Sequence, residues 1–129
     1  MCLDSLESGR YITKKDLHLF KVLTRTYDAF CNEFHYQDGE IEFGKIYNAN
    51  ISPIYYYNTP DGTKAYLSGY HCFSTTEDAW EWATPTQVIV KVIVPKGSYI
   101  QIGIQDTGNT KFTVIVASSV RYDEIVGMK

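Results

Sequence analysis

The three cysteines and three histidines are the residues of this chain best suited to metal binding. Cys31 and His35 are four positions apart, and His71 directly precedes Cys72. Zinc modules usually carry ligand pairs spaced C-x-x-C or H-x-x-x-H, and neither pair occurs here. Neighbouring residues of a strand point to opposite faces, so His71 and Cys72 are poorly placed to hold one ion. We therefore predict no metal site, with Cys72 as a small buried residue and His71 as a hydrogen-bonded one.

Nucleophilic catalysis would pair a cysteine with a histidine base, here Cys31 with His35 or His71. No nucleophile-elbow sequence surrounds the cysteines. The nine glycines also do not form the G-x-G-x-x-G or G-x-x-x-x-G-K-[ST] loops that cradle phosphate groups. The sequence therefore lacks an intact catalytic set of either type.

Tyrosine is the most distinctive feature of the composition, because the chain has 11 Tyr and 15% aromatic residues. Tyr combines apolar area with a hydrogen-bonding hydroxyl, so it suits both sheets and binding surfaces. In an alternating strand Tyr55 and Tyr57 share one face and Tyr56 takes the other, so at least one of them faces solvent or a partner. We predict a ligand-binding or partner-binding surface from this run together with Tyr70 and His71.

The length and net charge of the chain argue against several classes of function. With 129 residues, of which 44% are hydrophobic, the chain fits one globular domain. Its net charge of −3 argues against binding to nucleic acid or anionic lipid through bulk positive charge. The longest apolar run contains Lys91 and is far shorter than the roughly 20 residues of a membrane helix. The odd number of cysteines and the acidic opening without an apolar signal segment indicate a cytoplasmic protein.

The clearest helix signal starts at Ser74. Ser74 and Glu77 have the spacing of a capping box, in which the serine hydroxyl accepts a hydrogen bond from the Glu77 amide. We predict a helix over about residues 75–83 that is stopped by Pro85. This helix should pack on the sheet through Ala79 and one of the two tryptophans.

Strand signals dominate the rest of the sequence. Residues 1–16 are interpreted as a polar N-terminal tail and residues 17–129 as a single domain. Residues 87–94 are apolar on both faces, which predicts the centre of the sheet. The last three strands, joined by short turns, predict an antiparallel meander, and a loop is expected before residue 44. The predicted fold is therefore α+β, a mainly antiparallel twisted sheet with one principal helix. The predicted strands cover residues 17–24, 44–47, 51–57, 64–67, 87–94, 98–104 and 111–122.

A series of short motifs resembles a family of small phage and bacterial proteins that have no assigned activity. The family pattern is F-x-Y … G-K-x-Y … G-[FY]-H-x-C, followed by a strand, a turn and a closing strand. This chain carries Cys72 directly after His71 and has a Tyr-rich insertion between Tyr47 and Gly69, which depart from the pattern. The matching segments, within roughly residues 19–125, are Phe34-His35-Tyr36, Gly44-Lys45-Ile46-Tyr47, Gly69-Tyr70-His71-Cys72-Phe73, VIVKVIVPKGSYI and KFTVIVASSVRYDEI.

The order of a second set of elements resembles that of ADP-ribosyltransferases. In that superfamily a strand ending in S-T-S precedes a helix, and a strand with a P-x-G turn follows. Phe73-Ser74-Thr75-Thr76, the predicted helix and VIVKVIVPKG stand in that order here. The resemblance implies NAD as cofactor, Ser74 at the nicotinamide ribose, and Tyr55 or Tyr70 stacked on nicotinamide. The reaction also needs a carboxylate, for which only Glu124 or its neighbour Asp123 is available, beyond the predicted late strand.

Because that late strand contains no acidic residue, the chain is interpreted as a degenerate, non-catalytic relative of the fold. The predicted function is a non-enzymatic binding module without a cofactor, phage-encoded, that acts on a host protein or a nucleotide-derived ligand. Two alternatives stay open. One is an active NAD-dependent ADP-ribosyltransferase using Ser74 and Glu124, and the other is a structural virion-associated protein.

Overall fold

A computed structural model shows the chain as a large antiparallel sheet with a short helix, together with two small hairpins. The structure describes residues 3, 5–6, 9–28, 33–36, 41–49, 55–59, 62–66 and 69–129. Side chains are described for residues 3, 9–24, 41–49 and 69–129.

Thirteen strands and one helix lie within the described residues. In chain order they are β1 (Ser5–Leu6), β2 (Tyr11–Ile12), β3 (Leu17–Leu23), β4 (Arg25–Asp28), β5 (Glu33–Tyr36), β6 (Ile46–Asn48), β7 (Tyr55–Thr59), β8 (Gly62–Tyr66), β9 (Tyr70–Phe73), α1 (Thr76–Trp82), β10 (Val88–Val94), β11 (Tyr99–Asp106), β12 (Lys111–Ala117) and β13 (Ser119–Met128).

The large sheet has the strand order β1-β11-β12-β9-β3-β10-β13-β6, and β2 also pairs with β11. The pairs β4-β5 and β7-β8 form separate hairpins. Every pairing found is antiparallel. A mainly antiparallel sheet with one helix in the described part of the chain confirms the predicted fold class.

Strand β10 lies inside the sheet, between β3 and β13, as its apolar sequence predicts. Its alternating side chains enter two different cores, one on each face of the sheet. Val90 belongs to the first core, which also contains Leu19 and Cys72. Ile89 belongs to the second, which lies beneath α1 and is called here the helix-side core. Its buried members are Leu3, Phe73, Ala79, Ile89, Phe112, Val114 and Val116.

Helix α1 packs on the sheet as predicted, through the fully buried Ala79 and through Trp82. The predicted cap at Ser74 is wrong by one position. Thr75 is the N-cap, and its hydroxyl accepts a hydrogen bond from the Asp78 amide at 3.2 Å. Ser74 and Thr75 are both good capping residues, and each is followed three positions later by an acidic one, so the sequence favours neither register.

The predicted late meander is wrong. Strands β11 and β12 pair as expected, but β10 pairs with β3 and β13, so neither of its edges is left for β11. The segment expected as one strand over 111–122 is divided at Ser118. The Ser118 amide donates to the Tyr99 carbonyl at 2.9 Å and its hydroxyl accepts from the Tyr99 amide at 3.0 Å. These bonds replace the strand ladder at this point, and β13 continues along β10.

Two further segments differ from expectation. The loop expected before residue 44 contains the β4-β5 hairpin. Part of the expected tail joins the sheet, because β1 and β2 both pair with β11 and Leu3 is buried in the helix-side core. The pairing of β1 and β2 depends on a strand about 90 to 100 residues later, which local composition does not reveal. The division at residue 17 stays a prediction.

Candidate functional site

The tyrosine run lies in the β7-β8 hairpin. Tyr55 pairs with Tyr66, Tyr56 with Ala65, and Tyr57 with Lys64. The side chains of Tyr55, Tyr56 and Tyr57 lie outside the described residues, so their role in binding stays a prediction.

Tyr70 and His71, the other predicted partner-binding residues, lie on opposite faces of β9. Tyr70 is half-buried and packs against the first core, whereas His71 is buried and shares its face with Phe73 of the helix-side core. The two side chains therefore do not line one site. Burial and, to a smaller extent, the positive charge of Lys21 lower the pKa of His71 to about 4, although a hydrogen bond with the Gly69 backbone acts in the opposite direction.

Cys72 is fully buried, and its Sγ atom lies 3.8 Å from the Tyr70 carbonyl oxygen. Burial raises the pKa of its thiol to about 11, so the thiol is protonated at neutral pH. The side chains of Cys31 and His35 lie outside the described residues. Within the described part of the chain, no three His, Cys, Asp or Glu residues form a group that could hold a metal ion.

Ser74 and Glu124, assigned to catalysis in the ADP-ribosyltransferase alternative, are both exposed and lie far apart across the sheet. A cross-strand row runs from Phe73, which precedes Ser74, through Phe20 and Lys91 to Glu124. Three strand spacings separate the ends of this row by about 14 Å. Glu124 lies inside β13, not beyond the last strand as the sequence suggested.

An apolar depression lies beside α1 and is called here the Trp80 groove. It has a volume of about 640 Å³. Glu77, Trp80 and Glu81 of the helix form one side, and Ile89, Val126 and Gly127 of the sheet form the other. Trp80 is 47% exposed although it is one of the largest apolar side chains in the chain.

Local geometry keeps this groove open. Gly127 has no side chain, and a Cβ atom there would lie 3.6 Å from the Trp80 ring, so the glycine leaves space beside the indole. The end of β13 is held in place because the Lys129 amide donates to the Gln87 carbonyl at 2.9 Å and the Thr86 amide donates to the Lys129 carbonyl at 3.0 Å. Lys129 Nζ also donates to the Trp80 carbonyl at 2.8 Å.

The rim of the Trp80 groove is acidic. Glu77 and Glu81 are separated by one helical turn, a spacing at which like charges repel. Glu81 accepts a hydrogen bond from the Thr110 hydroxyl at 3.1 Å, and Glu77 from the Thr76 hydroxyl at 3.4 Å. The ion pairs found among the described side chains involve neither carboxylate. The groove therefore combines apolar walls with a pair of carboxylates, and Lys129 adds one positive charge at the Trp80 carbonyl.

A second depression of about 620 Å³ lies on the other side of the helix, beside Trp82. Its polar side chains largely bond to the protein itself. Gln87 accepts from the Thr84 amide at 2.7 Å and donates to the Thr24 hydroxyl at 3.0 Å. Thr107 and Thr110 are likewise bonded to each other within their turn. This depression is more polar than the Trp80 groove, whose walls are apolar.

Comparisons of the chain with protein-family models, with curated proteins and with solved structures found no match. No helix within the described residues is long and apolar enough to cross a membrane.

The sequence does not predict the Trp80 groove. Its patterns do not distinguish Trp80 from Trp82, and the predicted last strand ends at residue 122, before Val126. The available signal was helical spacing, since Glu77, Trp80 and Glu81 at positions i, i+3 and i+4 lie on one face of a helix. The sheet half of the groove depends on the pairing of β10 with β13, which no local pattern indicates.

Proposed function

We propose that this protein is a non-enzymatic binding module, phage-encoded, that acts on a protein of the bacterial host through the Trp80 groove. The observation that carries the proposal is a half-exposed indole over apolar walls formed by Ile89 and Val126. Trp is strongly enriched at the energetic centres of protein interfaces, where a partner buries its large apolar area.

One exposed residue of β13 widens the apolar wall of the groove. Val126 is 48% exposed and lies beside the Trp80 ring. Ile125 and Met128 are also exposed, but they pair with Val90 and Val88 of the first core and therefore lie on the opposite face of the sheet. Trp80 and Val126 together supply an anchor and a neighbouring apolar contact.

Site-specific crosslinking tests the proposal. A photo-crosslinking amino acid placed at Val126 should capture a defined host protein from bacterial lysate, and Trp80→Ala should abolish that capture. The matched controls are the same crosslinker at Phe43 and the variant Phe43→Ala, because Phe43 is 44% exposed but lies outside the groove. Equal capture from both positions, or capture that survives Trp80→Ala, would contradict the proposal.

Thermal-shift measurements with NAD, ADP-ribose and cyclic nucleotides test the nucleotide alternative. Under the proposal the melting temperature stays unchanged. A ligand-dependent rise that persists in Trp80→Ala would instead favour a nucleotide site away from the groove. Detection of the chain in purified virus particles would favour the structural alternative.

A further inference from the structure

A second surface of the molecule has the chemistry opposite to that of the Trp80 groove. It is called here the basic patch and consists of Arg10, Tyr11, Ile12, Lys14, Lys15 and Lys96. Tyr11 and Ile12 are 45% and 51% exposed, and they border a depression of about 410 Å³ together with both of the consecutive lysines. Among the side chains that the structure describes, the carboxylate beside the patch is that of Asp16, which accepts a hydrogen bond from the Lys96 amide at 2.8 Å. Positive charge is therefore in excess.

The groove and the patch lie at opposite ends of β10. Ile89, near the start of the strand, lines the groove. Pro95, just after its end, accepts a hydrogen bond from the Thr13 hydroxyl at 3.2 Å, which places the patch there. Six strand residues span about 20 Å, so the patch of one molecule cannot enter its own groove.

We infer that a second copy of this chain docks its basic patch into the Trp80 groove, so that copies associate head to tail. The inference rests on the groove being the docking surface named in the proposed function. Lys14 and Lys15 approach Glu77 and Glu81 of the next copy, and Tyr11 and Ile12 cover the apolar walls. A lysine placed over the indole face gains a further cation–π attraction.

The charges of the two surfaces explain why the contact joins the groove of one copy to the patch of another. Two grooves facing each other would bring Glu77 and Glu81 against the same carboxylates, and two patches would bring lysine against lysine. Both symmetric arrangements are repulsive, whereas groove against patch is attractive. A contact between two different surfaces leaves one free groove and one free patch in every pair, so association continues into a ring or a filament. The assembly and a host protein compete for the same groove.

Two charge-reversed variants test this arrangement. The groove variant carries Glu77→Lys and Glu81→Lys, and the patch variant carries Lys14→Glu and Lys15→Glu. Sedimentation velocity should show that the mass of the unmodified protein rises with concentration, and that added salt reverses this rise. Each variant alone should associate about tenfold or more weakly, whereas the control Lys45→Glu should behave like the unmodified protein.

Mixing the two variants gives the decisive result. In the mixture the intact patch of the groove variant meets the intact groove of the patch variant, and the reversed groove meets the reversed patch with the charges exchanged. The mixture should therefore regain the association that each variant alone has lost. A second pair without charge changes, Val126→Ser and Ile12→Ser, leaves one intact contact per pair of molecules, so its mixture should form a one-to-one heterodimer that grows no further. An unmodified protein that stays monomeric, a charge-reversed mixture that stays monomeric, or a serine-variant mixture that grows beyond the dimer overturns the inference.

The outcome also separates this inference from the proposed function. If the protein stays monomeric but Val126 still crosslinks a host protein in a Trp80-dependent way, only the head-to-tail inference fails. If copies associate as described and no host protein is captured, the proposed function fails and the inference stands.

Discussion

Trp80 and Trp82 are two positions apart on the same helix, yet they lie in opposite environments. Trp82 packs against Phe73 and Phe112, with ring centroids 5.9 Å and 5.5 Å apart. Trp80 leaves nearly half of its surface exposed beside the groove. Two residues correspond to about 200° around a helix, so one indole is directed to the core and the other to solvent. The difference shows that one short helix both closes a core and forms one wall of a binding surface.

The largest loss of stability should follow from removing the Phe73 ring, which packs against Trp82 in the helix-side core. Phe73 is fully buried and contacts both Trp82 and Phe112. Phe73→Ala should lower the free energy of unfolding by about 4 kcal/mol, because it removes apolar burial and leaves a cavity. Urea denaturation measures the change. A loss below about 1 kcal/mol would show that α1 and the sheet repack without this ring.

The second-largest effect should be the fall in the free energy of unfolding as the pH is lowered. The unfolded chain protonates His71 near its ordinary pKa of 6.5, whereas the folded protein keeps it neutral down to about pH 4. Protons therefore favour the unfolded state between these values, and stability should be highest above pH 6.5 and fall towards pH 4. The fall attributable to His71 is about 3 kcal/mol. Urea denaturation at several pH values should show a shallower decline in His71→Gln, and parallel curves would contradict the assignment.

Truncating each tryptophan to alanine tests directly whether Trp80 and Trp82 differ in their contribution to stability. Trp82→Ala should lower the free energy of unfolding by about 2 kcal/mol, since the ring is only partly buried. Trp80→Ala should lower it by about 1 kcal/mol, because nearly half of the ring's surface is already exposed to solvent. Trp80→Ala should also abolish crosslinking of the host protein from Val126. Equal losses of stability for the two variants would mean that Trp80 is a core residue in solution.

The helix cap should have a smaller effect on stability than the Trp82 ring. Thr75→Ala removes the hydroxyl that accepts from the Asp78 amide, and it should lower the free energy of unfolding by about 1 kcal/mol. Ser74→Ala should have little effect, because Ser74 is not the cap. Thermal denaturation of the two variants measures the difference. A larger loss for Ser74→Ala would restore the register that the sequence suggested.

Local patterns predicted the parts of the fold that depend on local physics. The apolar run of β10 indicated a strand buried on both faces, and the position of Pro85 agreed with a helix that ends at Trp82. The neighbours of β10 were not predictable in the same way. Its pairing with β3 joins residues about 70 positions apart, for example Leu23 and Val88, and short turns between later strands favoured a local meander instead.

The candidate site was less predictable than the fold. Tyr70 and His71 are adjacent in sequence, but strand alternation sends them to different faces, so their proximity in the chain carried no information about a shared site. Trp80 is distinguished from Trp82 as a binding residue only by the pairing of β10 with β13, which places Val126 and Gly127 opposite it. A groove between a helix and a strand more than forty residues later requires the tertiary structure.

The turn before β10 also helps to fix the shape of the Trp80 groove. Thr86 has a φ of 77°, in the left-handed region that a β-branched residue rarely occupies, and its amide holds the Lys129 carbonyl. Such a conformation costs about 1 to 3 kcal/mol and persists only where the surroundings enforce it. The turn that joins the helix, the groove and the final strand therefore stores conformational strain. Thr86→Asn should relax it, because asparagine tolerates this region, and the protein should become more resistant to heat while the groove keeps its shape.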